Sequence, residues 1–272
     1  VAKKAVKIEA PVAAAKQGAV TVKEASTAPA LLNSMLEGGD AAIDVRDLLL
    51  PRILLMQGLS KLVAEDKAKM GEFRDSLEAK LLGGKDKPLE FIPFYSNKTW
   101  VIFTMDGGKM SYSSTVPMTA DNAGWDREDT VQIDGKKVPV KRYAAINYFV
   151  LLPSDIAGGE PFPLVLSFRS TSYVAGRKLE THKAKYQRIK KPICWKTFLL
   201  TTTLQENEKG RFFVMDVAPE RVTTDEELEE VATWYQVIKQ ANVRIDESEA
   251  DVVGASPDAG PAVDVNAADA QY

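Results

Sequence analysis

Cysteine and histidine each occur once in the 272 residues, as Cys194 and His182. That scarcity excludes an internal disulfide framework and a zinc site built from Cys and His. It also excludes any Ser–His–Asp arrangement that does not use His182. Long apolar runs are missing as well. The densest, LLLPRILLM at 48–56, is interrupted by Pro51 and Arg52 and falls well short of the ~20 residues that span a bilayer. No phosphate-cradling loop is present: GGKDKP at 83–88 lacks the spacing and the Ser/Thr of a Walker loop, and no G-x-G-x-x-G occurs. The first twenty residues are rich in Ala and Lys without a continuous apolar stretch, which argues against a secretory signal and leaves an organelle transit peptide open.

Apolar residues make up 45% of the chain, enough to expect a substantial core. His182 falls on an apolar helical stripe and is expected to pack there. Cys194, between Ile193 and Trp195, is expected to be a small buried hydrophobe in a reducing cytosol. No cofactor is called for, and no acid sits in a recognisable catalytic motif, so a binding protein is expected rather than an enzyme.

Charge is abundant but unevenly placed. The net charge is −3, yet YVAGRKLETHKAKYQRIKKPICWK at 173–196 holds eight Lys or Arg against the single acid Glu180. From Asp216 onward, fourteen Asp or Glu face only Arg221, Lys239 and Arg244. A basic middle and an acidic end point to nucleic acid with an acidic interaction tail.

Four regions follow from the pattern. Residues 1–40 read as a flexible Ala/Lys-rich arm, 41–217 as the nucleic-acid-binding core, 218–244 as a C-terminal helix, and 245–272 as a disordered acidic tail. Within the core, Leu48, Leu55, Leu59 and Leu62 suggest a helix between Asp44 and Glu65, starting near Leu50 because Pro51 suits a first turn. LEFIPFY (89–95) and TWVIFTM (99–105) read as two strands joined by the turn-like SNK. Asp134-Gly135 marks a hairpin, 143–153 and 161–168 read as strands, and 195–204 with 211–217 form another hairpin. Between them, Ala175, Leu179, His182, Tyr186 and Ile189 recur as one helical stripe, ended by Pro192. A helix from Asp225 to about Asn242 carries acids in its first turn. Strands, helix, then strands make a mostly β, α+β chain, with an OB-like antiparallel barrel core as the preferred architecture.

Single-stranded nucleic acid is held by cations that displace counterions from phosphates and by aromatic faces that stack on bases. The candidate cations are Arg169, Arg177, Lys178, Lys183, Lys185, Arg188, Lys190, Lys191 and Lys196. The candidate stacking residues are Tyr173, Trp195 and Phe212, with Trp100 and Tyr112 from the earlier strands. Alternation along 195–204 puts Phe198, Leu200, Thr202 and Leu204 on the core face, and Trp195, Thr197, Leu199 and Thr201 on a half-exposed one. Across the hairpin, Phe213, Met215 and Val217 read as core.

The stretches LPRILLMQGLS (50–60), KMGEF (69–73), FPLVLSFRSTSYVAGRKL (162–179) and FLLTTTLQENEKGRFFVMDV (198–217), with the acidic tail ending in Tyr272, resemble phage-encoded single-stranded DNA-binding proteins. The resemblance implies an OB-fold core, sequence-tolerant binding of single strands, and work in replication and recombination in the cytoplasm of an infected bacterium. It also implies a tail that recruits replication or recombination proteins, with Asp264, Asp269 and Tyr272 as its contacts. The tail is less densely acidic than in the best-known examples and ends in Tyr where Phe is familiar. Two other readings stay open: a virion or assembly protein, and a strand-annealing recombination protein.

Overall fold

The computed structural model describes residues 49–106, 109–133, 135–208 and 210–241, all within the second of the chain's two compact units, 44–272. The 1–40 arm and the 245–272 tail, with Asp264, Asp269 and Tyr272, lie outside the described residues.

The organising element is one long strand, β4 (Leu89–Asp106). It is continuous where the sequence suggests two strands and a turn, because Ser96, Asn97 and Lys98 stay in register with Tyr148, Asn147 and Ile146. The irregularity sits earlier, between Pro93 and Tyr95. Along one edge β4 pairs with β7 (Lys136–Leu151). Along the other it pairs with β9 (Lys196–Asn207) at Leu89–Phe91 and with β5 (Lys109–Pro117) at Thr99–Asp106. β6 (Glu128–Ile133) forms a hairpin with β7, and Gly135 takes φ +76 in its turn. β8 (Leu164–Arg169) and β10 (Gly210–Val222) complete the seven-stranded sheet.

The central order β10-β9-β4-β7-β8 is antiparallel throughout, with the helix α3 (Tyr173–Arg188) between β8 and β9. The protein is therefore mostly β with antiparallel sheets and a few helices. Its order is compatible with an OB-like barrel, but among the described residues no β8–β10 ladder closes it.

A second, smaller sheet occupies that gap: β1 (Ile53–Leu55), β2 (Glu72–Asp75) and β3 (Leu81–Gly84), with one helical turn, α1 (Lys61–Ala64), between β1 and β2. The expected helix over 44–65 is thus replaced by extended chain from Leu50 through Leu55, and Asp44–Leu48 lie outside the described residues. The reason is tertiary. Val165 donates to the Pro51 carbonyl at 2.9 Å, Arg52 bridges Val165 in parallel, and Ile53 and Leu55 are buried.

On the β10 side Gln57 makes the join. Gln57 Nε2 donates to the Phe213 carbonyl at 2.7 Å, and the Phe213 amide donates back to Gln57 Oε1 at 3.0 Å. The next two outward amides, Met215 and Val217, donate to Ser172 Oγ and Asp216 Oδ1. Beside this join Gly71 takes φ +84, and a Cβ there would stand 2.7 Å from the Phe213 ring. Only glycine permits both the turn and the approach.

The sheet is covered on both sides, which explains the nearly unbroken apolar run YAAINYFVL in β7. On one side Phe91, Tyr148, Phe168, Phe198 and Leu200 pack under α3. On the other, Ile92, Phe94, Phe149 and Leu151 meet Val231 and Ile238 of α4 (Asp225–Ala241). Asp225, Glu226 and Glu227 occupy the first turn of α4, where the positive helix end favours them. Thr224 and Glu227 form a capping box: the Glu227 amide donates to Thr224 Oγ1, and the Thr224 amide donates to Glu227 Oε2. A short helix, α2 (Pro153–Ala157), links β7 to β8.

Candidate nucleic-acid interface

The basic segment begins where β8 turns into α3 through a single 3-10 turn, Ser170–Ser172. α3 lies close on the sheet because Gly176 faces Phe168; a Cβ at Gly176 would come within 2.8 Å of the Phe168 Cβ. Ala175 and Leu179 are buried as the stripe requires, and His182 and Tyr186 are half-buried. Ile189 departs from expectation at 57% exposed, because the helix ends beneath it. His182 packs edge-on against Phe198. Burial, then the ammonium groups of Lys185 and Lys196, push its pKa down, so the imidazole is neutral at pH 7. Cys194 is half-buried, and burial pushes its thiol up.

The end of α3 is a built turn. Lys190 adopts φ +57, the Lys190 amide donates to the Gln187 carbonyl at 3.0 Å, and the Lys191 amide donates to the Tyr186 carbonyl at 3.0 Å. This is a Schellman closure with lysine at the position glycine normally holds. The chain then passes Pro192 and makes a 3-10 turn, Ile193–Trp195. Thr223 pins that turn: its amide donates to the Trp195 carbonyl at 3.1 Å and its hydroxyl to the Cys194 carbonyl at 2.7 Å.

These constraints gather only part of the expected set. The Trp195 ring is half-buried, Tyr186 meets it edge-on at 5.5 Å, and the ammonium groups of Lys191 and Lys196 lie 5.7 and 5.8 Å from its centroid. Lys185, Arg188 and Lys190 are exposed and have no partner among the described residues. No acid pairs with any of these cations there, so phosphate would meet uncompensated charge beside an aromatic face.

The other expected cations are engaged. Lys178 pairs with Asp216 at 2.6 Å. Lys183 donates to Ser96 Oγ at 2.9 Å and lies 3.9 Å from Glu180. Glu180 itself accepts from the buried Tyr148 hydroxyl at 2.6 Å, with Lys98 3.8 Å away. Arg169 is half-buried at the end of β8, and Arg177 is exposed on α3. Tyr173 is half-buried against the main core, and burial raises its phenol pKa.

Three expected aromatics stand elsewhere. Phe212 is half-buried opposite Gln205, nine positions along β9 from Lys196, or about 30 Å by strand rise. Trp100 is only 8% exposed; its indole N–H donates to the Asn122 carbonyl at 3.0 Å, so it offers no free face. Tyr112 packs edge-on to Phe103, and its hydroxyl donates to Thr115 Oγ1. Alternation places Trp100 on a face but does not reveal that the 118–125 loop folds over that face.

Sequence reading missed one cluster. Trp125, 37% exposed, carries the Arg142 guanidinium 4.6 Å from its ring centroid, while Arg127 lies 5.0 Å from that of Tyr143. The available signal was a tryptophan inside the polar run DNAGWDRED. Among the described residues, no group of three or more His, Cys, Asp or Glu could hold a metal, and no helix is long and apolar enough to cross a membrane.

A family model for Pam3 phage gp34-like proteins matches residues 21–244, so the chain belongs to that family of phage proteins. No curated protein and no solved structure matches it.

Proposed function

We propose that this member of the Pam3 phage gp34-like family binds single-stranded DNA without sequence preference, at the end of α3 and around Trp195. One observation carries the reading: a half-buried tryptophan flanked by two lysine ammonium groups, in the same segment as Lys185, Arg188 and Lys190, which have no acid partner among the described residues. Stacking on an aromatic face is tolerant of base identity, and phosphate neutralisation is blind to it, so the pair selects for single strands rather than for a sequence. The strand order, compatible with an OB-like barrel, supports the same reading. Such a protein would serve replication or recombination in the infected bacterium, without catalysis of its own. The acidic segment 245–272, with seven acids and no Lys or Arg, would compete for the basic surface and present Asp264, Asp269 and Tyr272 to partner proteins.

The test is titration of a labelled oligo-dT with the full chain and with a version ending at Arg244, across a salt series. Five neutralised phosphates, for Lys185, Arg188, Lys190, Lys191 and Lys196, give a log–log slope of about −3.5. Salt-sensitive binding that strengthens on truncation supports the site and the tail together. Trp195→Ala should then weaken binding about tenfold. Absence of binding by both versions at low salt would sink the reading and leave an assembly role, with an acidic protein surface against α3.

A further inference from the structure

The Trp125 cluster holds an exposed, well-supported aromatic outside the α3 site. Asn122 organises it: its Nδ2 donates to the Pro117 carbonyl at 2.9 Å, its Oδ1 accepts from the Thr119 amide at 2.7 Å, and its carbonyl accepts from both Trp100 Nε1 and the Trp125 amide. Beneath the ring, Arg142 is itself buried and fixed, with its NH1 2.8 Å from Asp129 Oδ2. A buried guanidinium stacked under a tryptophan that still exposes much of its surface is a held platform rather than a side chain filling a core.

Position links this platform to the α3 site. Along β4, Ser96, Lys98, Trp100 and Ile102 alternate onto one face of the sheet, opposite Tyr148, Ile146, Ala144 and Arg142 of β7. At Ser96 that face receives Lys183 from α3, one helical turn before Tyr186, which touches Trp195. At Trp100 it is covered by Trp125, whose ring centroid is 6.4 Å away. Ser96, which Lys183 reaches, and Trp100, which Trp125 covers, are four positions apart on one strand, about 13 Å. Lys98, half-exposed, stands between them.

We infer that Trp125 is a second stacking station, which a single strand bound at Trp195 reaches by running over Lys183 and Lys98. The cations near Trp125 are largely paired, Arg142 with Asp129 and Lys141 with Glu128, so the station contributes stacking rather than phosphate neutralisation. It therefore adds affinity only for strands long enough to span both stations, and it adds little to the salt slope. This inference rests on the proposed DNA binding at α3.

The test uses the full chain with Trp125→Ala and Trp125→Phe, and oligo-dT of about six and about twenty nucleotides, lengths bracketing an OB-fold site. Trp125→Ala should weaken the long oligomer about tenfold and leave the short one unchanged, with the salt slope unaltered; Trp125→Phe should restore most of the loss. A photoreactive halogenated uracil walked along the long oligomer should cross-link to Trp125 at one end, independently of any variant's fold. Equal affinity of wild type and Trp125→Ala for both lengths, with no cross-link, would overturn the inference while leaving the α3 site standing. Equal weakening for both lengths would overturn it too, since that result signals damage to the fold. Failure of the wild type to bind either oligomer would instead be the failure of the α3 reading itself.

Discussion

The Lys191 amide donates to the Tyr186 carbonyl at 3.0 Å across a turn in which Lys190 is held left-handed, at φ +57. A non-glycine residue in that region costs roughly 1–2 kcal/mol. The backbone thus carries strain where three consecutive features, the turn, Lys191 and Trp195, define the candidate site. Lys190→Gly relieves the strain and should raise stability by about 1 kcal/mol in urea unfolding. In the proposed DNA binding Lys190 neutralises one phosphate, so the same variant's salt slope should fall by about 0.7. Loss of stability, or an unchanged slope, would contradict this account of Lys190.

Tyr148 gives an alkaline signature. Burial, and then the Glu180 carboxylate that its hydroxyl faces, hold the Tyr148 phenol protonated far above its ordinary range. The unfolded chain ionises this tyrosine near pH 10. Its contribution to stability is therefore complete below about pH 10 and lost progressively above it. Tyr148→Phe should flatten the alkaline limb of a stability–pH curve and cost about 1–3 kcal/mol at neutral pH, by removing a hydrogen bond to a charged group.

Glu227 gives the acid counterpart. Hydrogen bonds from Arg221 hold its carboxyl below the usual carboxylate range, assisted by the Thr224 amide. A lowered native pKa means that the stabilisation is present above about pH 4.5, the ordinary value, and is lost as pH falls through the native one. Glu227→Gln should make the melting temperature less steep between about pH 3 and 5. It should also lower the neutral-pH stability by about 1 kcal/mol through the weakened capping box. A melting curve as steep as that of wild type would assign acid sensitivity to other carboxylates.

Gly176→Ala sets two effects against each other. Helix propensity favours alanine by about 1 kcal/mol. The added methyl would stand 2.8 Å from the Phe168 Cβ and 3.2 Å from Ile146 Cδ1, both in the closely packed core, and overpacking there costs about 1–3 kcal/mol. The clash should win, with a net loss in chemical unfolding. A stabilised variant would show that α3 can lift away from β8 at little cost.

Alternation made the later strands legible. The pairing of β9 with β10, the burial of Phe198, Leu200, Phe213 and Val217, and the acid-loaded start of α4 all follow from side-chain pattern. Leu204 escaped it, at 43% exposed, because it lies near the turn beyond the covered part of the hairpin. SNK at 96–98 looked like a turn because its residues are polar. They are polar for their side chains' sake: Asn97 accepts from the buried Asn147, and Ser96 accepts from Lys183. The leucines from 48 to 62 fit a helical period, but a short apolar run buried between two other elements carries no periodicity of its own. Of the candidate interface, the cations and Trp195 could be read because they are adjacent in the chain. Trp125 and Arg142 could not, since seventeen positions and a hairpin separate them.

The amide of Gln57 has a consequence for how the chain is made. It joins the first strand's segment to the last strand by meeting Phe213, a residue 156 positions later. At the ribosome's ordinary pace of about 5–20 residues per second, roughly 10–30 s pass between the appearance of the two. Throughout that interval Ile53, Leu55 and Phe73 have no finished core to enter. The nascent chain must keep its first strands unspent until the last one arrives.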